Sequence, residues 1–323
     1  MAVEVAPDIF RMEVPLPGNP LRSVNSYIIR GNDDGNMMVD TAMNRPECRE
    51  VLERELSDLD VDMTRTDVFV THMHADHLGL APYLTGGRGT VFLGKEDAAF
   101  IDESDYWMRM YAYGVMNGFP RLDPMEAIRK HPGYRYGPLG EMNLRALAGG
   151  ERFTVGRYEF RTVHTPGHTE GHMMLYEKEE GILFSGDHIL FDITPNISLF
   201  EENKDPLSEY ISSLKMTREL RVENTFPGHR TPMKDPGPRI EVLISHHLQR
   251  AEEAFDILRD SGPMTAMDVA SRMTWDMRGS FEEFPLMQKW FALGEAIAHL
   301  RFLETNNKVD VKERGGILRY SPI

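Results

Sequence analysis

Thr66-Asp67-Val68-Phe69-Val70-Thr71-His72-Met73-His74-Ala75-Asp76-His77 decides how this chain folds and what it can hold. Its first half is rich in β-branched side chains, which crowd a helix but pack well on a pleated surface, so a strand is expected over 66–71. That strand ends at three imidazoles and a carboxylate. On extended backbone, residues two apart face the same side, so His72 and His74 can both reach one metal ion. Asp76 and His77 turn the other way, toward a second ion.

Working outward, three distant stretches offer ligands of the same kind. His168, in Thr165-Pro166-Gly167-His168-Thr169, would complete a three-nitrogen site with His72 and His74. His229, in Phe226-Pro227-Gly228-His229, would complete the second site with Asp76 and His77. Asp187, in Phe184-Ser185-Gly186-Asp187, has two oxygens and is expected to bridge the pair. Gly167, Gly186 and Gly228 stand beside these ligands, where the backbone is expected to turn sharply. Asp40, in Val39-Asp40-Thr41, is expected behind the cluster as a partner for a ligand or a loop amide. Imidazole and carboxylate suit zinc, with iron or manganese as alternatives. Two such ions about 3.5–4 Å apart would share a hydroxide, because zinc brings the pKa of bound water to about 7. Asp76 is then the catalytic candidate, a ligand that also accepts a hydrogen bond from that hydroxide.

The remaining pattern is mixed. Strands are expected at 8–12, 26–30, 36–40, 90–93, 152–164, 173–177 and 182–185, with a tight turn over 31–35. Helices are expected at 46–58, 95–102 and 206–220. Strands followed by a helix, twice over, imply two packed sheets with helices outside. A segment at 103–145 rich in aromatic, Gly and Pro residues interrupts this order and is expected to be a lid, an oligomer contact or a helical insert on the surface. From about 236 the spacing turns helical over 240–258, 265–273 and 286–303, followed by a hairpin, the order of a winged helix. The expected division is 1–235 for a catalytic domain and 236–323 for a helical one.

Thr71–His77, Thr165–His172, Gly186-Asp187 and Gly228-His229 together resemble the five-motif set of the metallo-β-lactamase-fold hydrolases, over about residues 8–232. The resemblance implies an α+β fold, an αββα sandwich with metals at the sheet edges. It carries the first-site ligands onto His72, His74 and His168, the second-site ligands onto Asp76, His77 and His229, and the bridge onto Asp187. His164–His172 is close to glyoxalase II-like thioesterases and acyl-homoserine lactonases. Phe291–Glu295 and Ala298-His299-Leu300 in the tail resemble the β-lactamase-like protein 2 group. Ala42 departs from the family's usual Gly and is tolerable if its φ stays negative.

Other residues have weaker claims. His172 is read as hydrogen-bonding support. His188, Phe191, Tyr106, Trp107 and Tyr111 are candidate walls of a substrate pocket. His164 is read as structural, His131 as solvated beside its Pro-Gly turn, and His246, His247 and His299 as surface or core.

Two ions and a hydroxide attack a carbonyl or a phosphoryl group. A thioester or lactone is the preferred substrate class, because a thiolate leaves without a general acid and none is evident. A phosphodiesterase or endoribonuclease of the same fold is the alternative, followed by an iron-dependent redox variant. Charge disfavours a polyanion: the chain carries 36 Lys and Arg against 51 Asp and Glu, a net −15. Residues 240–323 carry ten against thirteen and only 301–323 is locally basic, five against three, a thin footprint for nucleic acid. The expected partner is a small-molecule ester or thioester, and the helical tail is compatible with a homodimer. The single cysteine, Cys48, excludes an intrachain disulfide and is read as packing, in keeping with a reducing, cytoplasmic setting. Neither a signal peptide nor a membrane span is expected.

Overall fold

In the computed structural model residues 1–31 and 35–323 are described, so the tight turn expected over 31–35 lies mostly outside the described residues. Alternation along the first strands dictates a sheet covered on both faces. Tyr27, Ile29, Met37 and Val39 point into one core, whereas Ile28 and Met38 point into another.

The first sheet has seven strands in chain order: β1 (Val3–Ala6), β2 (Ile9–Pro15), β3 (Ser23–Ile29), β4 (Asn36–Val39), β5 (Thr66–Phe69), β6 (Thr90–Gly94) and β7 (Asn143–Leu147). β1 to β4 pair antiparallel and β4 to β7 parallel. The second sheet contains β8 (Arg152–Val155), β9 (Tyr158–His164), β10 (Met173–Glu177), β11 (Ile182–Gly186) and β12 (Asn224–Pro227), in the order β12-β11-β10-β9-β8. The sheets face each other across Tyr27, Phe69 and Phe92 on one side and Phe160, Leu175 and Phe184 on the other. The strands expected over 152–164 are β8 and β9, and β1, β7 and β12 had no sequence expectation.

Helices cover the outer faces. α1 (Pro46–Asp58), α2 (Ala75–Leu78), α3 (Ala81–Thr85) and α4 (Lys95–Asp102) lie against the first sheet, with Leu52, Leu78, Ala81 and Ala98 in one cluster. Cys48 belongs to the same cluster, its thiol 3.2 Å from the Pro15 carbonyl. Burial pushes that thiol up to about 11, which makes it a packing group rather than a nucleophile.

The segment 103–145 folds as α5 (Tyr106–Met116), α6 (Pro124–Lys130) and α7 (Pro132–Tyr136) and then enters the sheet as β7. It is helical but not a surface addition. Met110, Tyr111, Phe119, Ala127 and Ile128 join the largest apolar core, with α8 (Pro206–Arg218), α9 (Gly237–Ser261), α10 (Ala266–Ala270) and α11 (Leu286–Thr305). The chain ends in a hairpin of β13 (Val309–Arg314) and β14 (Ile317–Pro322). Among the described residues no helix is long and apolar enough to cross a membrane.

Candidate metal centre

Each candidate ligand follows a strand. Asp40 follows β4, 71–77 follow β5, His168 lies between β9 and β10, Asp187 follows β11, and His229 follows β12. The Met173 amide donates to the Thr71 carbonyl at 2.8 Å, joining the two sheets where these loops meet.

Three imidazole nitrogens converge. His72 Nε2 and His168 Nε2 each lie 3.0 Å from His74 Nδ1. On the other side, His229 Nε2 lies 3.4 Å from Asp76 Oδ2. Asp187 stands between the groups: Oδ1 is 3.6 Å from His77 Nε2, and Oδ2 is 3.4 Å from His229 Nε2 and 3.7 Å from His168 Nε2. Among the described residues, His72-His74-His168, His72-His77-Asp187 and Asp76-His77-His229 each gather ligand atoms within 4.8 Å of one another. His77 Nε2, His229 Nε2 and Asp187 Oδ1 are buried without any hydrogen bond. A buried polar atom without a partner is costly, and here all of them aim at one spot. This donor set fits divalent cations.

The far nitrogens of His72, His77, His168 and His229 are each tied to an oxygen, which turns the near nitrogen of each toward the cluster. His168 Nδ1 donates to the Asn196 carbonyl at 2.8 Å, and His229 Nδ1 to the Ser23 carbonyl at 2.6 Å. His77 Nδ1 lies 2.8 Å from Asp40 Oδ2. Asp40 also accepts from the Thr71 amide at 2.7 Å and from the Thr71 hydroxyl at 2.9 Å. With its proton so placed, Thr71 Oγ1 accepts from His72 Nδ1, 3.0 Å away. One carboxylate thus orients two rings and a loop, from a residue at φ 56°. Ala42, two residues on, is not among the residues with positive φ.

Electrostatics divides the cluster. Burial, reinforced by the neighbouring rings, brings His74 down to about 3 and His72 well below the ordinary value; His168 also falls, by burial. Burial opposes charge on His77 and His229 as well. The carboxylates of Asp40 and Asp187 nonetheless raise His77 well above its ordinary value, and Asp187 with Asp76 carries His229 up to about 10. Burial would raise Asp76 and Asp187 too, but His229 and His77 hold both below the usual carboxylate range. A cation held here would replace the protons on His77 and His229.

Two glycines are required for different reasons. Gly186 has φ 49°, and a Cβ there would stand 2.7 Å from Thr71 and from His172 Nε2. Gly228 makes no positive-φ turn, contrary to expectation. A Cβ there would meet Asp187 Oδ1 at 2.5 Å and His77 Cε1 at 2.7 Å, so the constraint is close approach.

The remaining candidates fall in different places. His172 is buried, its Nδ1 2.9 Å from Thr165 Oγ1 and its ring 5.3 Å from that of His72. His188 is fully buried, its Nε2 3.4 Å from Thr217 Oγ1 of α8. The Tyr111 hydroxyl bonds both backbone groups of Leu122 inside the helical core. Phe191 is exposed, and Tyr106 and Trp107 are half-buried with rings 5.3 Å apart. His131 is not solvated as expected. Its ring packs on Trp107 and Phe291, and burial lowers it to about 4. His164 Nε2 donates to the Glu170 carbonyl at 2.8 Å.

Sequence reasoning missed Asp97. This fully buried residue of α4 accepts from the amides of Met73 and Gly171 and from the Thr169 hydroxyl, at 2.9, 2.7 and 2.7 Å. It pins the loops of His72-His74 and His168 to each other. Its only sequence signal is an acidic residue among the apolar positions of a short helix.

A family model described as the metallo-beta-lactamase superfamily matches residues 19–229, and one described as the metallo-beta-lactamase-like C-terminal domain matches 252–323. A beta-lactamase-like protein 2 homolog from Drosophila melanogaster is 29% identical over 256 residues, covering 77% of this chain and 73% of that protein. An atrochrysone carboxyl ACP thioesterase from Aspergillus fumigatus is 25% identical over 244 residues, 75% of this chain but only 46% of that protein. The crystal structure of a metallo-beta-lactamase family protein from Thermus thermophilus superposes with a TM-score of 0.83 at 28% identity, over 99% of this chain and all of that one. With its αββ layers, its outer helices and a convergent His/Asp cluster at the strand ends, the chain belongs to the metallo-beta-lactamase superfamily as a metallo-hydrolase.

Proposed function

We propose that this protein hydrolyses a carbonyl ester, of the thioester or lactone class, at a pair of divalent transition-metal ions, with zinc the first choice and iron or manganese the alternatives. The observation that carries the reading is Asp187, whose carboxylate lies within reach of both ligand groups, Oδ2 between His168 and His229 and Oδ1 beside His77. His72, His74 and His168 would hold one ion and Asp76, His77 and His229 the other, with Asp187 shared. Ions bound there would lower the pKa of water to about 7 and polarise a carbonyl.

The chain's own groups do the rest. Asp76 is kept ionised beside His229, so it can only accept hydrogen bonds and can orient an attacking water. Asp40, through His77 directly and His72 by way of Thr71, fixes which nitrogens remain lone pairs. The lowered His72, His74 and His168 stay neutral at neutral pH, as ligands must.

Substrate class rests on chemistry and likeness. A thiolate departs without a general acid, and the buried cluster offers no carboxyl that stays protonated at neutral pH. The Aspergillus fumigatus relative is named a thioesterase. The net charge of −15 opposes a polyanionic substrate. The test is metal analysis of the purified protein, followed by turnover of acyl-thioester, lactone and single-stranded RNA panels with zinc, manganese or iron(II). Thioester or lactone hydrolysis is expected with about two metal equivalents. Cleavage of RNA alone would overturn the substrate class, and a protein that takes up no metal would overturn the whole reading.

A further inference from the structure

The 190–200 segment, which follows the shared Asp187, has little secondary structure of its own and is held by the C-terminal helices. From α9, Arg239 donates to the Leu190 carbonyl at 2.7 Å and to the Ile193 carbonyl at 2.8 Å. From α11, the Gly294 carbonyl accepts from the Leu199 amide at 3.1 Å. Trp290 stacks on Phe200 with ring centroids 4.3 Å apart and planes 3° from parallel. A Cβ at Gly294 would come within 2.6 Å of the Phe200 ring and 2.8 Å of Ser198 Oγ, so α11 and the segment touch backbone to side chain. At the middle of this contact Asn196 Nδ2 donates to Glu295 Oε2 at 3.3 Å, and Glu295 Oε1 accepts from Arg250 Nε at 3.2 Å. The side chains of Glu295 and Arg250 are only 14% and 10% exposed. The backbone carbonyl of that same Asn196 takes the Nδ1 proton of His168.

We propose that Glu295 is a positioning residue for the metal centre: it holds Asn196 so that its carbonyl keeps the proton of His168 on Nδ1 and leaves Nε2 to the ion. The helical region is thereby part of the metal site, although it supplies no ligand. The link runs Arg250–Glu295–Asn196–His168, and each step is a hydrogen bond. An imidazole whose far nitrogen loses its acceptor gains the other tautomer and a freer ring, and outer partners of this kind cost about 10–100-fold in metal affinity when removed. Glu295 lies one bond further out, so the lower end applies.

This inference rests on the metal reading above, and its test does not need the substrate. Zinc is titrated against a chromophoric chelator for the full chain and for Glu295→Ala, Glu295→Gln and Asn196→Ala. The ring nitrogens of His168 are followed by ¹⁵N NMR. Glu295→Ala is expected to weaken one of two zinc equivalents by about tenfold, leave the other unchanged, and mix the His168 tautomers. Glu295→Gln keeps an oxygen acceptor for Asn196 Nδ2 and is expected to retain the wild-type tautomer. If Glu295→Ala fails to fold, Asn196→Ala cuts the same link from the half-buried segment and must show the same two changes. Wild-type zinc affinity with an unmixed tautomer in the folded variant overturns the inference and leaves the hydrolase reading intact. Glu295-dependent zinc binding by a protein that hydrolyses no ester overturns the hydrolase reading alone.

Discussion

At the scale of the residue, the cluster is a set of nitrogens and oxygens, four of whose five rings are aimed by a hydrogen bond on the far side. Asp187→Ala removes the oxygens that face both groups. It is expected to abolish hydrolysis and lower metal content, with a circular dichroism spectrum like that of the wild type. Full activity in that variant would refute the assignment. Asp40→Ala removes the acceptor of His77 Nδ1 and of Thr71, and metal affinity should fall about 10–100-fold, read by chelator competition. Asp76→Asn keeps shape but loses charge, so it should retain part of the metal and lose most turnover; an unchanged kcat would end that role.

At the scale of the element, short helices are held by their ends. α10 has a reciprocal capping box: the Thr265 hydroxyl accepts from the Asp268 amide at 3.1 Å, and Asp268 accepts from the Thr265 amide at 3.0 Å. Thr265→Ala is expected to cost about 1 kcal/mol in urea unfolding without touching metal content. Between α9 and α11, His247 Nδ1 lies 3.3 Å from His299 Nε2, and His299 Nδ1 donates to the Glu295 carbonyl at 2.7 Å. Burial lowers His299 to about 4 and His247 well below its ordinary value. A buried imidazole kept neutral costs nothing above pH 6.5, where the unfolded chain is neutral too. As pH falls from 6.5 toward 4 the unfolded chain takes up protons that the folded one refuses, so stability drops, by on the order of 3 kcal/mol for His299. Urea midpoints measured between pH 7 and 4 should show this loss, and His299→Gln should reduce it by the His299 share, leaving that of the other buried histidines.

At the scale of the whole molecule, the largest apolar core draws on α5, α6, α8, α9, α10, α11 and the terminal hairpin. The 103–145 segment therefore shares its packing with the C-terminal helices. Replacing residues 104–141 with a short Gly/Ser linker removes Met110, Phe119 and Ile128 and uncovers their partners on the C-terminal helices. We expect insoluble or molten protein, checked by solubility and near-ultraviolet circular dichroism. A soluble, cooperatively folding deletion with an altered substrate profile would restore the lid.

The metal cluster and the two-sheet layering were legible because they rest on local rules. Period-two alternation sorts side chains between faces, and His-x-His-x-Asp-His on a strand end has few other uses. His168, Asp187 and His229 stood out by residue type beside glycines, although Gly228 serves close approach and not a turn. Asp97, Asn196 and Glu295 were not legible, because a carboxylate or a backbone carbonyl that acts through another residue leaves no periodic or compositional mark. His131 was misplaced for a related reason: which way a side chain faces after a turn depends on what packs against it. The amino-acid order by itself determined which groups could bind a cation and on which strands they ride. Only the tertiary structure decided which ring nitrogen stays free and which helix holds its partner, because those depend on hydrogen bonds between residues up to 206 positions apart.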